Sequence, residues 1–193
     1  KILDVGCGTG KQVETFAPEL GEGEIIGMDV SQECIDAAKA KLGDSNPRIK
    51  LITGDMLDID TKFEKDSFDI VISTYAIYYS KDIEKTLQDI KTILKSDGKL
   101  VVVGPYGENN KEFFELINFM ELPPKVLEST TTFMEEIVMP FCQKHFTDVK
   151  TDNFTNKVSF PSKEKITEYW KSNIYYEEKY DDIFNERIDS HFK

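Results

Sequence analysis

Three glycines and three aspartates carry the chemistry legible in this sequence. Gly6, Gly8 and Gly10 lie in Ile2-Leu3-Asp4-Val5-Gly6-Cys7-Gly8-Thr9-Gly10, where an apolar run feeds a glycine-rich turn and then a helical stretch. Strand, glycine turn and helix N-terminus in that order form a nucleotide-site architecture, because glycine lets the backbone take strained angles and approach a ligand closely. Taken alone, the turn reads equally as a tight strand-to-helix connection. Its spacing is GxGxG, not the GxGxxG of dinucleotide sites. A phosphate-binding GxxxxGK[ST] loop would need glycine at Val5 and Ser or Thr at Gln12, and fails at both. NAD and ATP are therefore disfavoured together. Asp4, Asp29 and Asp55 each stand at or near the end of an apolar run, and Asp29 follows Gly10 by 19 positions. Singly, Asp29 or Asp55 also reads as a solvated strand end.

The elements that must position these residues alternate. Strands are expected at 1–5, 24–29, 49–53, 68–73 and 99–103, separated by helical patterns. Ser31 is the expected cap of a helix carrying Ile35, Ala38 and Leu42 on one face, stopped by Gly43. Ser80 is the expected cap of a helix carrying Ile83, Leu87, Ile90 and Leu94, and Ser96-Asp97-Gly98 reads as a turn. Residues 109–145 read as irregular helix broken by Pro123-Pro124 and Pro140, and 162–192 as polar, tyrosine-rich helices. Residues 146–160 read as two strands joined around Asn156, too close in sequence to be parallel. The expected fold is α/β: a Rossmann-like, doubly wound, seven-stranded, mainly parallel sheet with an antiparallel last strand pair and helices on both faces. One domain over 1–193 is expected, with a cofactor-binding core at 1–104, a helical insert at 105–145 near the acceptor site, and C-terminal strands and helices at 146–193.

Composition narrows the partners. The net charge of −12 and scattered Lys and Arg disfavour nucleic acid, and no apolar run approaches a membrane span. Cys7, Cys34 and Cys142 are odd in number and lack CxxC spacing, which disfavours disulfides and a zinc site and fits a reducing, cytoplasmic setting. No cluster of His, Cys and acids has metal-ligand spacing, so no metal is expected. Because Lys1 runs straight into an apolar strand, a segment preceding it is expected. No oligomeric state is legible.

The segment Val5-Gly6-Cys7-Gly8-Thr9-Gly10 after Leu3-Asp4 resembles the first motif of class I S-adenosylmethionine-dependent methyltransferases, especially their broad small-molecule branch. Gly27-Met28-Asp29, Gly54-Asp55-Met56, Phe68-Asp69 to Ser73 and Leu94 to Val103 resemble the four motifs that follow, with Ser96-Asp97-Gly98 where the family often has Pro-Gly-Gly. The resemblance covers residues 1 to about 104. It implies that S-adenosyl-L-methionine, and the product S-adenosyl-L-homocysteine, contact Asp4, Gly6, Cys7, Gly8, Gly10, Met28, Asp29, Val30, Gly54, Asp55, Met56, Ser73, Thr74 and Tyr75. In those roles the glycine turn lies under the methionine part, and Asp4 helps hold the amino group, often through water. Asp29 accepts both ribose hydroxyls, Asp55 accepts from the adenine amino group, and Met28 and Met56 flank the ring.

The acceptor is expected beyond strands four and five. The Asn/Asp-Pro-Pro-Tyr/Phe run of many base N-methylases is absent from Ser73-Thr74-Tyr75-Ala76-Ile77-Tyr78-Tyr79. Transfer from a sulfonium is an in-line displacement that rests on alignment and desolvation, with a general base added for an oxygen or carbon acceptor. Candidate bases are His145, Tyr75, Tyr78 and Tyr79; the bland readings are a helix-terminal histidine and ordinary aromatic packing. His191 is a lesser candidate. Glu135-Glu136 reads as a wet helix face sooner than a cation site, and Tyr169, Trp170, Tyr175, Tyr176 and Tyr180 as either an aromatic lid or packing of a terminal helix. The expected activity is methyl transfer to a small-molecule acceptor. The alternatives are a protein or tRNA methyltransferase, or a non-catalytic cofactor-binding partner subunit.

Overall fold

The computed structural model describes residues 1–43, 46–107, 109–121, 132–173, 175–190 and 192. The chain forms two compact units, one of Lys1–Pro105 with Phe133–Thr147, the other of Tyr106–Thr132 with Asp148–Lys193. The stretch expected as one insert over 105–145 is thus divided between them.

The first unit is built on a five-stranded sheet: β1 (Ile2–Val5), β2 (Ile25–Asp29), β3 (Ile49–Thr53), β4 (Phe68–Thr74) and β5 (Leu94–Val103). The order is β3-β2-β1-β4-β5 and every pair is parallel. The strand order reverses between β1 and β4, and the crevice at the carboxyl ends of such a pair is where ligands sit in open α/β sheets. In register, Asp4 lies between Gly27 of β2 and Ile72 of β4.

Helices α1 (Lys11–Phe16), α2 (Gln32–Leu42), α3 (Ile59–Lys62) and α4 (Ile83–Ile93) connect the strands. Alternating residues of one strand feed opposite faces. Ile25 packs with Val13 of α1 and Ile35 of α2, while Ile26 and Met28 join Leu3, Val5 and Val71 against Leu87, Ile90 and Ile93 of α4. The sheet is therefore covered on both sides, as a parallel sheet requires. Ser31 caps α2, its Oγ accepting the Cys34 N–H at 3.1 Å, and Gly43 ends that helix at φ 70°. At α4 the expected cap is corrected. Asp82, not Ser80, accepts the Lys85 N–H at 2.9 Å, and Ser80 Oγ instead receives the Asp82 N–H at 3.2 Å. Ser96-Asp97-Gly98 lies within β5, not before it. Phe68 pairs with Leu94 but Ile70 already pairs with Lys99, so the extra residues bulge from this edge strand. A π-helical turn, Phe133–Val138, and α6 (Met139–His145) complete the unit, with Phe133 and Val138 buried in the α4-side core.

The second unit packs α5 (Lys111–Leu116), α7 (Lys163–Lys171) and α8 (Asp181–Asp189) around Ile117, Trp170, Phe184 and Ile188. Trp170 stacks on Phe184 with ring centroids 5.0 Å apart. Arg187 closes the end of α5, donating to the carbonyls of Glu115 and Leu116 at 3.3 and 3.1 Å. Residues 148–160 contain no strand, so the antiparallel pair expected over 146–160 is not formed, and among the described residues the sheet has five strands, not seven. Val149, Phe154 and Val158 are exposed, so the alternation between Phe146 and Phe160 builds no buried face. A lone hairpin is marginal in water without a third strand or a helix to pack on. The described part of this unit offers no strand to pair with.

Candidate cofactor site

The turn after β1 is held to β2 by its own amides. The Gly6 and Cys7 N–H groups both donate to the Met28 carbonyl, at 2.8 and 3.0 Å, and the Gly10 N–H donates to the Cys7 carbonyl at 2.9 Å. Gly6, Gly8 and Gly10 take φ of 74°, 52° and 77°, a region that disfavours any side chain. Their surroundings differ. A Cβ on Gly6 would stand 2.2 Å from the Ala76 Cβ, and one on Gly10 would stand 3.1 Å from the Ala38 Cβ. A Cβ on Gly8 would meet nothing within 4 Å. Gly6 and Gly10 are thus small because the protein packs on them, whereas Gly8 borders open space at the mouth of the turn.

Asp29, at the end of β2, spans two loops. Its Oδ2 accepts the Gly8 N–H at 2.8 Å and its Oδ1 accepts the Ser31 N–H at 2.9 Å. Each carboxylate oxygen carries two lone pairs, so each keeps one for a further donor. The Asp29 carbonyl accepts the Gly54 N–H at 2.9 Å, which carries the arrangement on to the turn after β3. There Asp55 accepts the Leu57 N–H at 2.9 Å and shapes the 3₁₀ turn Met56–Asp58. Met28 is buried, Met56 half-buried and Val30 exposed. The Lys62 stem lies over Gly54, where an added Cβ would come within 2.7 Å of the Lys62 Cε. Nothing in the sequence marks Lys62, because its approach is made by the fold.

Asp4 is the anomaly. Its side chain lies in the floor of the crevice, 1% exposed, and Oδ2 has no hydrogen-bond partner within the described chain. Burial, and then the negative charge of Asp29, push its carboxyl up to about 7. Cys7 is buried beside it and its thiol is pushed up to about 12, by burial first and then by Asp4 and Asp29. Cys7 is therefore a packed thiol without nucleophilic character.

After β4 the chain turns sharply back on the glycine turn. Ser73 is buried and its hydroxyl donates to the Val5 carbonyl at 2.9 Å, tying β4 to β1 across the switch point. Thr74 is half-buried. Tyr75 takes φ 54°, its N–H donates to the Val103 carbonyl at 2.8 Å, and its side chain is 49% exposed. A left-handed tyrosine is strained by about 1–2 kcal/mol, and such strain concentrates at functional sites. Ala76 presses on Gly6. Tyr78 packs between Tyr79 and Phe133, with centroids at 4.6 and 5.6 Å, and Tyr79 is 67% exposed.

His145 ends α6 with its ring 4.4 Å from that of Phe141, and Glu135 and Glu136 are exposed on the π-helical turn. Trp170 and Tyr176 both donate to Asp181 at 3.2 Å, and with Tyr169, Tyr175 and Tyr180 they pack within the second unit. His191 lies outside the described residues. Among the described residues no helix is long and apolar enough to cross a membrane.

Comparison with known proteins falls on the same elements. A methyltransferase-domain family model matches residues 2–98, about half of the chain. The uncharacterized methyltransferase YcgJ of Bacillus subtilis is 30% identical over 136 residues, covering 67% of this chain and 51% of that protein. A demethylmenaquinone methyltransferase of Lactococcus lactis is 34% identical over 104 residues, covering 53% and 40%. The crystal structure of YcgJ superposes with a TM-score of 0.50 at 27% identity, covering 61% of this chain and 49% of that one. The chain thus spans about half the length, or less, of these curated relatives. The family match begins at β1 and ends in β5, over the strands that carry the glycine turn and the strand-end aspartates, and the chain belongs to the class I S-adenosylmethionine-dependent methyltransferase family.

Proposed function

We propose that this chain binds S-adenosyl-L-methionine in the crevice between β1, β2 and β4 and moves its methyl group to a small-molecule acceptor. The observation that carries the reading is Asp4, a buried carboxylate with an unpartnered oxygen beside an open glycine turn. A buried acid of this kind is costly unless a donor or cation meets it. The amino-acid end of the cofactor carries such a cation, and Asp4 meets it directly or through water. Gly8 leaves the room for that end to lie against the turn. The free lone pairs of Asp29 take the ribose hydroxyls, Asp55 takes the adenine amino group, and Met28, Val30 and Met56 flank the ring.

The bound cofactor supplies a methyl group on a sulfonium, whose leaving group is a neutral thioether. The protein's own task is then alignment and exclusion of water. The loop from Thr74 to Tyr79 carries that task, because Ala76 anchors it to Gly6 while Tyr75 and Tyr79 stay exposed. Two exposed aromatic faces suit a planar acceptor, and the Lactococcus lactis relative is a quinone-ring methyltransferase by name. Tyr75, Tyr79, Tyr78 and His145, in that order, are the groups we assign as candidates to receive a proton from a hydroxyl or carbon acceptor. Three free cysteines suit a reducing cytoplasm.

Calorimetry tests the cofactor half of this reading: S-adenosylmethionine and S-adenosylhomocysteine bind, and NAD gives no heat. Turnover of labelled cofactor against a panel of hydroxylated aromatics, quinols, proteins and tRNA tests the acceptor half. Tight NAD binding would sink the first, and methylation confined to protein or RNA the second.

A further inference from the structure

Resting on that reading of the site, we infer that Asp4 makes cofactor binding proton-linked: the free protein holds a proton on the Asp4 carboxyl, and the ligand's ammonium group displaces it to solvent. The geometry carries this. Strand register holds the Asp4 backbone between β2 and β4, and its side chain is 1% exposed, so it ionises away from water. Among the described groups, the charge that acts on it from β2 is the Asp29 carboxylate, which the Gly8 and Ser31 amides hold in place. From the glycine turn it faces the Cys7 thiol, which stays protonated at any ordinary pH. From β4 its neighbours are Ile72 and Ser73, and the Ser73 hydroxyl is already committed to the Val5 carbonyl. No cation among the described groups that act on Asp4 draws it toward ionisation, and its buried Oδ2 has no donor. An ammonium brought within a few ångströms of the carboxyl reverses the balance, since an opposite charge nearby favours the ionised carboxylate. The proton leaves to buffer and an ion pair takes its place.

The direction with pH follows. A carboxyl that titrates near 7 in the free protein and well below that in the complex is protonated in one and ionised in the other at acid pH. Ligand affinity therefore rises with pH and levels off above 7. From pH 5.5 to 7 the rise is roughly tenfold, and the ligand's own α-amino group stays charged throughout that window.

S-adenosylhomocysteine is the probe, because it has the ammonium and lacks the sulfonium. Titration at pH 6.5 in two buffers of different ionisation enthalpy reads the protons released. We expect release of a large part of one proton per ligand from the wild-type protein and none with 5′-methylthioadenosine, which lacks the amino-acid end. In Asp4→Asn, with folding checked by thermal melting, release vanishes and affinity becomes flat between pH 5.5 and 7. Binding by the wild-type protein without proton release overturns the inference and leaves the cofactor reading standing. Release that persists in Asp4→Asn assigns the proton to another group, such as a histidine, and overturns it. Release with 5′-methylthioadenosine removes the ammonium as the cause. Failure of the wild-type protein to bind any of these ligands ends both readings together.

Discussion

The Asp29 carboxylate accepts the Gly8 N–H at 2.8 Å, joining the end of β2 to the turn after β1 across 21 residues of sequence. One side chain therefore shapes the glycine turn from outside, and each of its oxygens keeps a lone pair for a further donor. On the proposed reading, the carboxylate that builds the turn is also the one that binds the ligand.

Asp29→Ala should show both roles. The Gly8 and Ser31 amides lose their acceptor, which lowers stability by about 1–3 kcal/mol. Cofactor affinity falls by more, since each lost charge-assisted bond to a hydroxyl is worth about 1.5–3 kcal/mol. Thermal melting and calorimetry on the same variant separate the two. An unchanged melting temperature with unchanged affinity would reduce Asp29 to a solvated strand end.

Gly6→Ala and Gly8→Ala should fail differently. At Gly6 the new methyl collides with Ala76 at 2.2 Å, so the main effect is on the fold, and we expect a loss of more than about 2 kcal/mol. At Gly8 there is only the left-handed backbone to strain, about 1–2 kcal/mol, and the methyl points into open space. That variant should stay folded and bind S-adenosylhomocysteine at least tenfold more weakly, the mark of about 1.4 kcal/mol. Equal affinities for wild type and Gly8→Ala would mean that the ligand does not lie against the turn.

Without ligand, Asp4 should destabilise the protein as pH rises. Its carboxyl sits at about 7 when folded and at an ordinary carboxylate value when unfolded. Between those values the folded state holds the extra proton, so stability falls from about pH 4 to 7, by up to about 4 kcal/mol from this group. Asp4→Asn removes that slope and should melt higher than wild type at pH 8 while binding S-adenosylhomocysteine more weakly. Parallel melting curves for the two proteins from pH 5 to 8 would contradict this.

For a hydroxyl or carbon acceptor, Tyr75→Phe should lower kcat by roughly 10²–10⁴-fold at unchanged cofactor affinity, the usual effect of removing a general base. His145→Ala should leave kcat within about threefold and act mainly on stability, because its ring packs on Phe141. The reverse pattern would move the proton-accepting role to His145.

Much of the first unit was legible because its signals are local. The runs that became β1 to β4 are β-branched or apolar and short, and glycines or caps punctuate them. Ser31 and Gly43 bound α2 as expected, since a cap and a left-handed stop act within one turn of their own residues. The GxGxG spacing and the aspartates at strand ends point to the crevice at the carboxyl edge of the sheet. Choice between two adequate local signals was not legible: Ser80 and Asp82 both suit a helix start, and the backbone at Asp82 settled it. Equally, Leu94 to Gly98 joined β5 only because β4 lies alongside.

The sequence by itself determined the alternating strands and helices, the glycine turn and the set of carboxylates at the strand ends. The tertiary structure decided what each of those residues does. Gly6 and Gly8 are indistinguishable as letters, yet one is packed by Ala76, 70 residues away, and the other borders open space. Ser73, which reads as a cofactor neighbour, also ties β4 to Val5 of β1. The alternating residues of 148–160 formed no strands, because pairing needs a partner edge that no local pattern supplies. Asp4 became a destabilised acid only when β4 closed on one side of it and β2, carrying Asp29 at its end, on the other. Propensity, capping and turn chemistry act over a few residues, whereas burial and charge proximity are set by segments that meet only in the folded chain.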